Sequence, residues 1–136
     1  MINRVILVGR VGKDPQVKEF VKGDSVRQMV FFPLATHEII TDKHSGAKSE
    51  YTEWHSIEMW DKNAENALKI LKQGRVVYIE GKMKSESWFD KNNMKRYSTK
   101  IKATMFQVMS NLGTTPKNET LSSGSGGDYS FPDEEF

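Results

Sequence analysis

Tyr51-Thr52-Glu53-Trp54-His55-Ser56-Ile57-Glu58-Met59-Trp60 alternates with a period of two, and its reading decides the fold. Successive side chains of a strand point to opposite faces, so residues two apart share one. The odd positions bring His55, Ile57 and Met59 to one face, a set suited to burial. The even positions bring Thr52, Trp54, Ser56, Glu58 and Trp60 to the other, a polar face carrying two indoles. Large flat rings among charges and hydroxyls need something to stack on them. With lysines and arginines interleaved, this is the pattern expected of a sheet that holds unpaired nucleic-acid bases.

Upstream, residues 3–11 are mostly apolar and β-branched with Gly9 near the middle, which predicts a curved or bulged strand. Val5, Leu7 and Val11 share its inward face. Ile6 and Val8 make the other face apolar as well, and a small barrel buries only one face internally. Ile6 and Val8 are therefore expected to meet another subunit. Asp14-Pro15 and Gly23-Asp24 mark turns. Residues 26–36 read as the second strand, with Val26, Val30, Phe32 and Leu34 inward. Pro33 within it has no N–H to give, which implies an edge or a bulge. A polar loop around Gly46 then leads into the tryptophan strand.

Downstream the period changes. Ala64, Ala67, Leu68 and Leu71 follow helical spacing over residues 61–73, with Asp61 as N-cap and Gly74 as C-cap. Residues 76–84 form the fourth strand, extending toward Phe89, with Val77, Ile79 and Met83 inward. Residues 90–93 make a hairpin turn. Residues 97–108 return as the fifth strand, with Tyr97, Ile101, Ala103 and Met105 on one face and Lys100 and Lys102 on the other. Three strands, one short helix and two strands is the order of an all-β, five-stranded OB-fold Greek-key barrel.

The 136 residues suit one such domain with a tail. Past Asn111 the composition shifts to Gly, Ser, Thr and Asn, including Ser122-Ser123-Gly124-Ser125-Gly126-Gly127. Residues 1–111 are expected to form the domain and residues 112–136 a disordered, flexible linker with an acidic tip. The net charge of +2 divides unevenly. Residues 112–136 hold one basic and five acidic side chains, a net of −4, and residues 1–111 hold 19 basic and 13 acidic, a net of +6. A basic body suits a polyanion, and an acidic tip suits a different, basic partner. Zero cysteines exclude a disulfide framework and thiolate metal sites. No leader or membrane span is visible, so a cytoplasmic location is expected.

Trp54, Trp60 and Trp88 are the candidate stacking residues, and Trp88 shares parity with Lys82 and Lys84. Arg4, Lys43, Lys62, Lys72, Lys82, Lys84 and Arg96 are the cations expected along the strand's path. His55 lies on the inward or interface parity and reads as a packed histidine rather than a ligand. His37, His44 and His55 lack zinc-site spacing, and Glu50 and Glu53 differ in parity, which argues against a nuclease metal cluster with Glu58. No nucleophile elbow, phosphate loop or metalloprotease motif is present. Neither catalysis nor a cofactor or metal is expected. An OB-fold adaptor for RNA or a protein, such as a primosome accessory factor or a translational repressor, is the alternative reading.

Six segments in order resemble the bacterial-type single-stranded DNA-binding protein family, the homotetrameric OB-fold proteins of replication, recombination and repair. They are Asn3-Arg4-Val5-Ile6-Leu7-Val8-Gly9-Arg10, Gly12-Lys13-Asp14-Pro15, Leu34-Ala35-Thr36, Thr52-Glu53-Trp54-His55, Gly74, and Val77-Tyr78-Ile79-Glu80-Gly81-Lys82. The resemblance covers about residues 2–110. It implies stacking by Trp54, Trp60 and Trp88, with Ile40 at a fourth position that is usually aromatic, and it places His55 at the subunit interface. It also implies that the tip, Phe131-Pro132-Asp133-Glu134-Glu135-Phe136, docks on replication and repair enzymes. The family's proline follows the acids, whereas here Pro132 precedes them. The short linker and altered tip suit a phage, plasmid or divergent bacterial paralogue as well as a chromosomal copy.

Overall fold

A computed structural model describes residues 1–109. The expected linker and tip, residues 112–136, lie outside the described residues. The elements run β1 (Val5–Val11), β2 (Gln16–Lys22), β3 (Ser25–Thr41), β4 (Lys48–Trp60), α1 (Asp61–Ile70), β5 (Val76–Phe89) and β6 (Lys95–Val108).

Five strands close a ring. The sheet order is β1-β5-β6-β4-β3-β2, and β1 also pairs with β3 through Arg10↔Ala35 and Val11↔Leu34. The β4–β6 contact is parallel, at Ile57↔Ile101 and Glu58↔Lys102. This is the expected five-stranded OB barrel, with its helix after the tryptophan strand. The sixth strand, β2, stands outside the ring as a hairpin partner of the first half of β3. It falls between the two expected turns, and all seven of its residues are exposed, so its sequence carries no contrast between inward and outward positions.

Pro33 sits where β3 changes partner. The last β2 pairing is Gln16↔Phe31 and the first β1 pairing is Val11↔Leu34. Its carbonyl accepts the Gly12 N–H at 2.9 Å. A strand residue's N–H and C=O point to the same edge, so the missing donor falls at that gap.

The core is built from alternating inward residues: Val11, Val30, Phe32, Leu34, Ile57, Met59, Val77, Ile79, Ile101 and Ala103. Helix α1 covers one end of it with Ala64 and Ala67, and Leu71 follows. Gly9 and Gly81 face inward where strands press closest. A Cβ on Gly9 would lie 2.5 Å from the Ala35 carbonyl oxygen, and one on Gly81 would lie 2.2 Å from that of Lys102.

Several expected details differ. Val26, Met83 and Tyr97 are exposed because β2–β3 and β5–β6 outrun the barrel as two-stranded arms, where inward parity no longer means burial. Leu68 is exposed too. Met105 turns outward through a β-bulge: Gly81 pairs with Ala103 but Glu80 pairs with Met105, leaving Thr104 over. Past the bulge Phe106, not Met105, packs on the core. Asp61 is not an N-cap. It is the first helical residue, with a left-handed φ of 55°, after Trp60, which makes no side-chain cap. The helix closes at Leu71, whose N–H reaches the Ala67 carbonyl, and Gly74 instead turns the chain at φ 90° toward β1.

Candidate nucleic-acid interface

Directly opposed residues of neighbouring strands project to the same side of a sheet. Met29↔Trp60 and Lys18↔Met29 therefore place β2, β3 and β4 residues on one face. Glu58↔Lys102, Lys82↔Lys102, Lys84↔Lys100 and Trp88↔Arg96 carry that face across β6 onto β5. Trp54, Trp60, Trp88, Lys82, Lys84 and Arg96 thus share one outward surface, as their parities predict. Trp54 and Trp88 are 38% and 48% exposed.

Trp60 is held more tightly. The Phe20 ring lies 5.4 Å away at 34°, the Arg27 guanidinium 4.6 Å over the indole and Lys102 Nζ 5.9 Å from it. Its Nε1 donates to Glu58 Oε1 at 3.3 Å. Arg27 is fixed in turn by Asp61, with Nη2 2.8 Å and Nε 3.3 Å from the two carboxylate oxygens. That fork of hydrogen bonds holds the Asp61 carboxyl below its ordinary range. A platform of this kind offers a flat apolar area with a cation against it, which suits a base and its phosphate.

Two of the lysines are tied to acids of the same face. Lys84 Nζ is 2.9 Å from Glu86 and 3.4 Å from Glu58, and Lys100 is 3.4 Å from Glu86. The Glu86 hydrogen bond raises the Lys84 pKa and lowers that of Glu86. Arg96 is paired with Asp90 at 2.9 Å.

Four expected cations stand elsewhere. Arg4 pairs with Glu80 at 3.3 Å on the β1–β5 side, and Lys62 with Glu65 at 3.3 Å on α1. Lys43 is in the turn between β3 and β4, and Lys72 in the connection from α1 to β5. Glu50 lies beside His37 and away from Glu58. Sequence reasoning missed Lys18, Phe20 and Arg27, which only the β2–β3 register brings to this face. It also left out Lys100 and Lys102, whose outward parity was legible. Ile40 lies within β3, which runs five residues beyond its expected end, and faces away from the Trp54 side.

The residues expected at a subunit interface separate by depth. Ile6 and Val8 are 55% and 50% exposed on the outside of β1, opposite Glu80 and Tyr78 of β5. His55 is half-buried opposite Leu34, with Nε2 2.7 Å from Thr36 Oγ1. Burial holds its pKa below the ordinary histidine value, against a smaller opposing pull from Glu53. The tip residues 131–136 lie outside the described residues. No described helix is long and apolar enough to cross a membrane.

Known proteins agree with this geometry. Among solved structures, the chain is similar to an SSB from Plasmodium falciparum in complex with ssDNA, at 29% identity and a TM-score of 0.71. That match covers 81% of this chain and 97% of the other. A deletion mutant of the single-stranded DNA binding protein from Thermus aquaticus shares the fold, at 20% identity and a TM-score of 0.69. The match covers 82% of this chain but spans about half, 52%, of the Thermus chain. A family model, the single-strand binding protein family, matches residues 2–109, the whole of the barrel. The chain belongs to the single-strand binding protein family.

Proposed function

We propose that the protein coats single-stranded DNA without strong sequence preference and catalyses no reaction of its own. The observation that carries this reading is the shared face of Trp54, Trp60 and Trp88 with Lys18, Lys82, Lys100 and Lys102 alongside. Each base stacked on an aromatic ring contributes roughly 1–3 kcal/mol whatever the base, and the cations follow the phosphates. The similarity to a single-strand complex supports the same assignment.

Four copies form the working unit in this proposal, joined through the apolar outer side of β1 with Ile6 and Val8 and near His55. The acidic tip with Phe136 recruits enzymes of replication, recombination and repair, as the family resemblance implies. Titration of the full chain with oligo-dT, followed by tryptophan fluorescence, tests the binding. Quenching is expected, with log K falling against log salt by about 0.7 for each phosphate contacted. Tighter binding of a matched RNA oligomer, or no quenching at all, would favour the adaptor reading instead.

A further inference from the structure

Past Met83↔Ile101 the β5–β6 arm leaves the barrel, and its two faces are furnished alike. On the outward face Trp88 stands directly opposite Arg96. On the reverse face Phe89 stands opposite Lys95, and Ser87 opposite Tyr97. Lys95 Nζ lies 5.4 Å from the centre of the Tyr97 ring. Diagonal neighbours of an antiparallel pair are within reach of aromatic side chains, so Phe89 and Tyr97 make one patch around Lys95. The reverse face is the more open of the two: Phe89 is 66% and Tyr97 72% exposed, against 48% for Trp88. The tip that carries them is held in shape by Asp90. Its Oδ1 accepts the N–H groups of Asn92 and Met94, each at 2.9 Å, and its Oδ2 accepts the Arg96 Nε–H at 2.9 Å. Little ordering is therefore left for a ligand to impose.

We propose that the arm binds the single strand on both faces, with Phe89, Lys95 and Tyr97 forming a second stacking site behind Trp88 and Arg96. Large exposed rings beyond the reach of any core call for a partner. Residues 84–100 hold five basic side chains and two acidic ones, a net of +3. Two open rings with a cation between them, on a positive arm, fit bases and the phosphates that join them. A second copy of the same arm fits worse, because it sets like charge against like. The inference rests on the single-strand reading above and lengthens the ligand's path. A strand that has crossed the outward face turns over the tip and returns along the reverse. Every base has a flat face, so the second site shares the first one's indifference to sequence.

The test titrates the full chain, as wild type and as the double variant Phe89→Ser, Tyr97→Ser, with labelled oligo-dT at fixed salt. The oligomer is longer than the roughly 4–16 nucleotides that one OB barrel covers. Both substitutions fall at exposed positions, where the fold tolerates change, and they leave all three tryptophans in place. Affinity should drop by about fivefold or more, the effect of at least one lost stack, while indole quenching at saturation persists. In wild type, irradiation of bound oligo-dT carrying 5-iodouracil should attach the strand to Phe89 or Tyr97, read by mass spectrometry of the peptides. A loss smaller than about fivefold overturns the proposal. So do crosslinks that spare both residues, a measurement that decides the matter even if the variant does not fold. A fall in the variant's mass by light scattering without DNA overturns it too, since the patch is then a contact between copies. Failure of the wild type to bind oligo-dT at all is a separate result, and removes the single-strand reading together with this one.

Discussion

Trp60 and Trp88 occupy the same face but not the same environment, and replacing each by alanine separates binding from stability. Trp60 packs against Phe20 at 5.4 Å, and such an aromatic pair contributes about 0.5–1.5 kcal/mol. For a domain near a hundred residues, 1 kcal/mol moves Tm by about 4–8 °C. Trp60→Ala should therefore lower Tm by several degrees in the absence of DNA. Trp88 stands 48% exposed near the end of the β5–β6 arm, beyond the core residues Ile79 and Ile101. Its removal should leave Tm within about 2 °C, as expected of a surface change. Both variants lose a stacking surface worth about 1–3 kcal/mol, which is about 5- to 150-fold in affinity. Thermal melts and anisotropy titrations with labelled oligo-dT at fixed salt supply the two readouts. A folded Trp88→Ala that binds as wild type would refute the stacking assignment. A Trp60→Ala that melts unchanged would refute the anchoring role of Phe20.

Gly81→Ala should destabilise the barrel by about 1–3 kcal/mol, because the new methyl meets the Lys102 carbonyl and the Ala103 Cα, both backbone atoms. A melt within 2 °C of wild type would show that β6 yields more easily than this packing allows. The pH dependence follows from His55, whose pKa is lowered in the fold by burial. The unfolded chain then takes up the proton first, so stability is full above the ordinary value of about 6.5 and declines as pH falls through it. Urea midpoints at pH 7.5 and 5.5 should differ more for wild type than for His55→Gln, and equal differences would remove His55 as the source.

Strand parity made much of this legible before any coordinates. The alternation in residues 51–60 separated Ile57 and Met59 from Trp54 and Trp60, and the same rule set Ile6 and Val8 outward. What it hid has physical causes. β2 has no buried residue, so nothing in its pattern distinguishes a strand from an extended loop. Val26, Met83 and Tyr97 alternate correctly but on arms that outrun the core. Glu58 is outward by parity yet buried by its neighbours, which no single strand's sequence reports. Phe20 and Arg27 joined the site only when the β2–β3 register was known, since their meeting with Trp60 is a long-range event.

The surplus residue Thr104 has a consequence for the whole molecule. Its carbonyl accepts the Asn63 Nδ2 at 3.0 Å, and its hydroxyl lies 3.4 Å from the Glu80 carbonyl. Ile101 and Ala103 on one side of it and Phe106 and Val108 on the other all belong to the interior, although their numbering is out of phase. Were Thr104 drawn into the ladder as an ordinary strand residue, the two-step rhythm would run unbroken and swing Phe106 and Val108 into water. Asn63, reaching down from the helix, is thus the pawl that keeps the last strand from slipping a tooth.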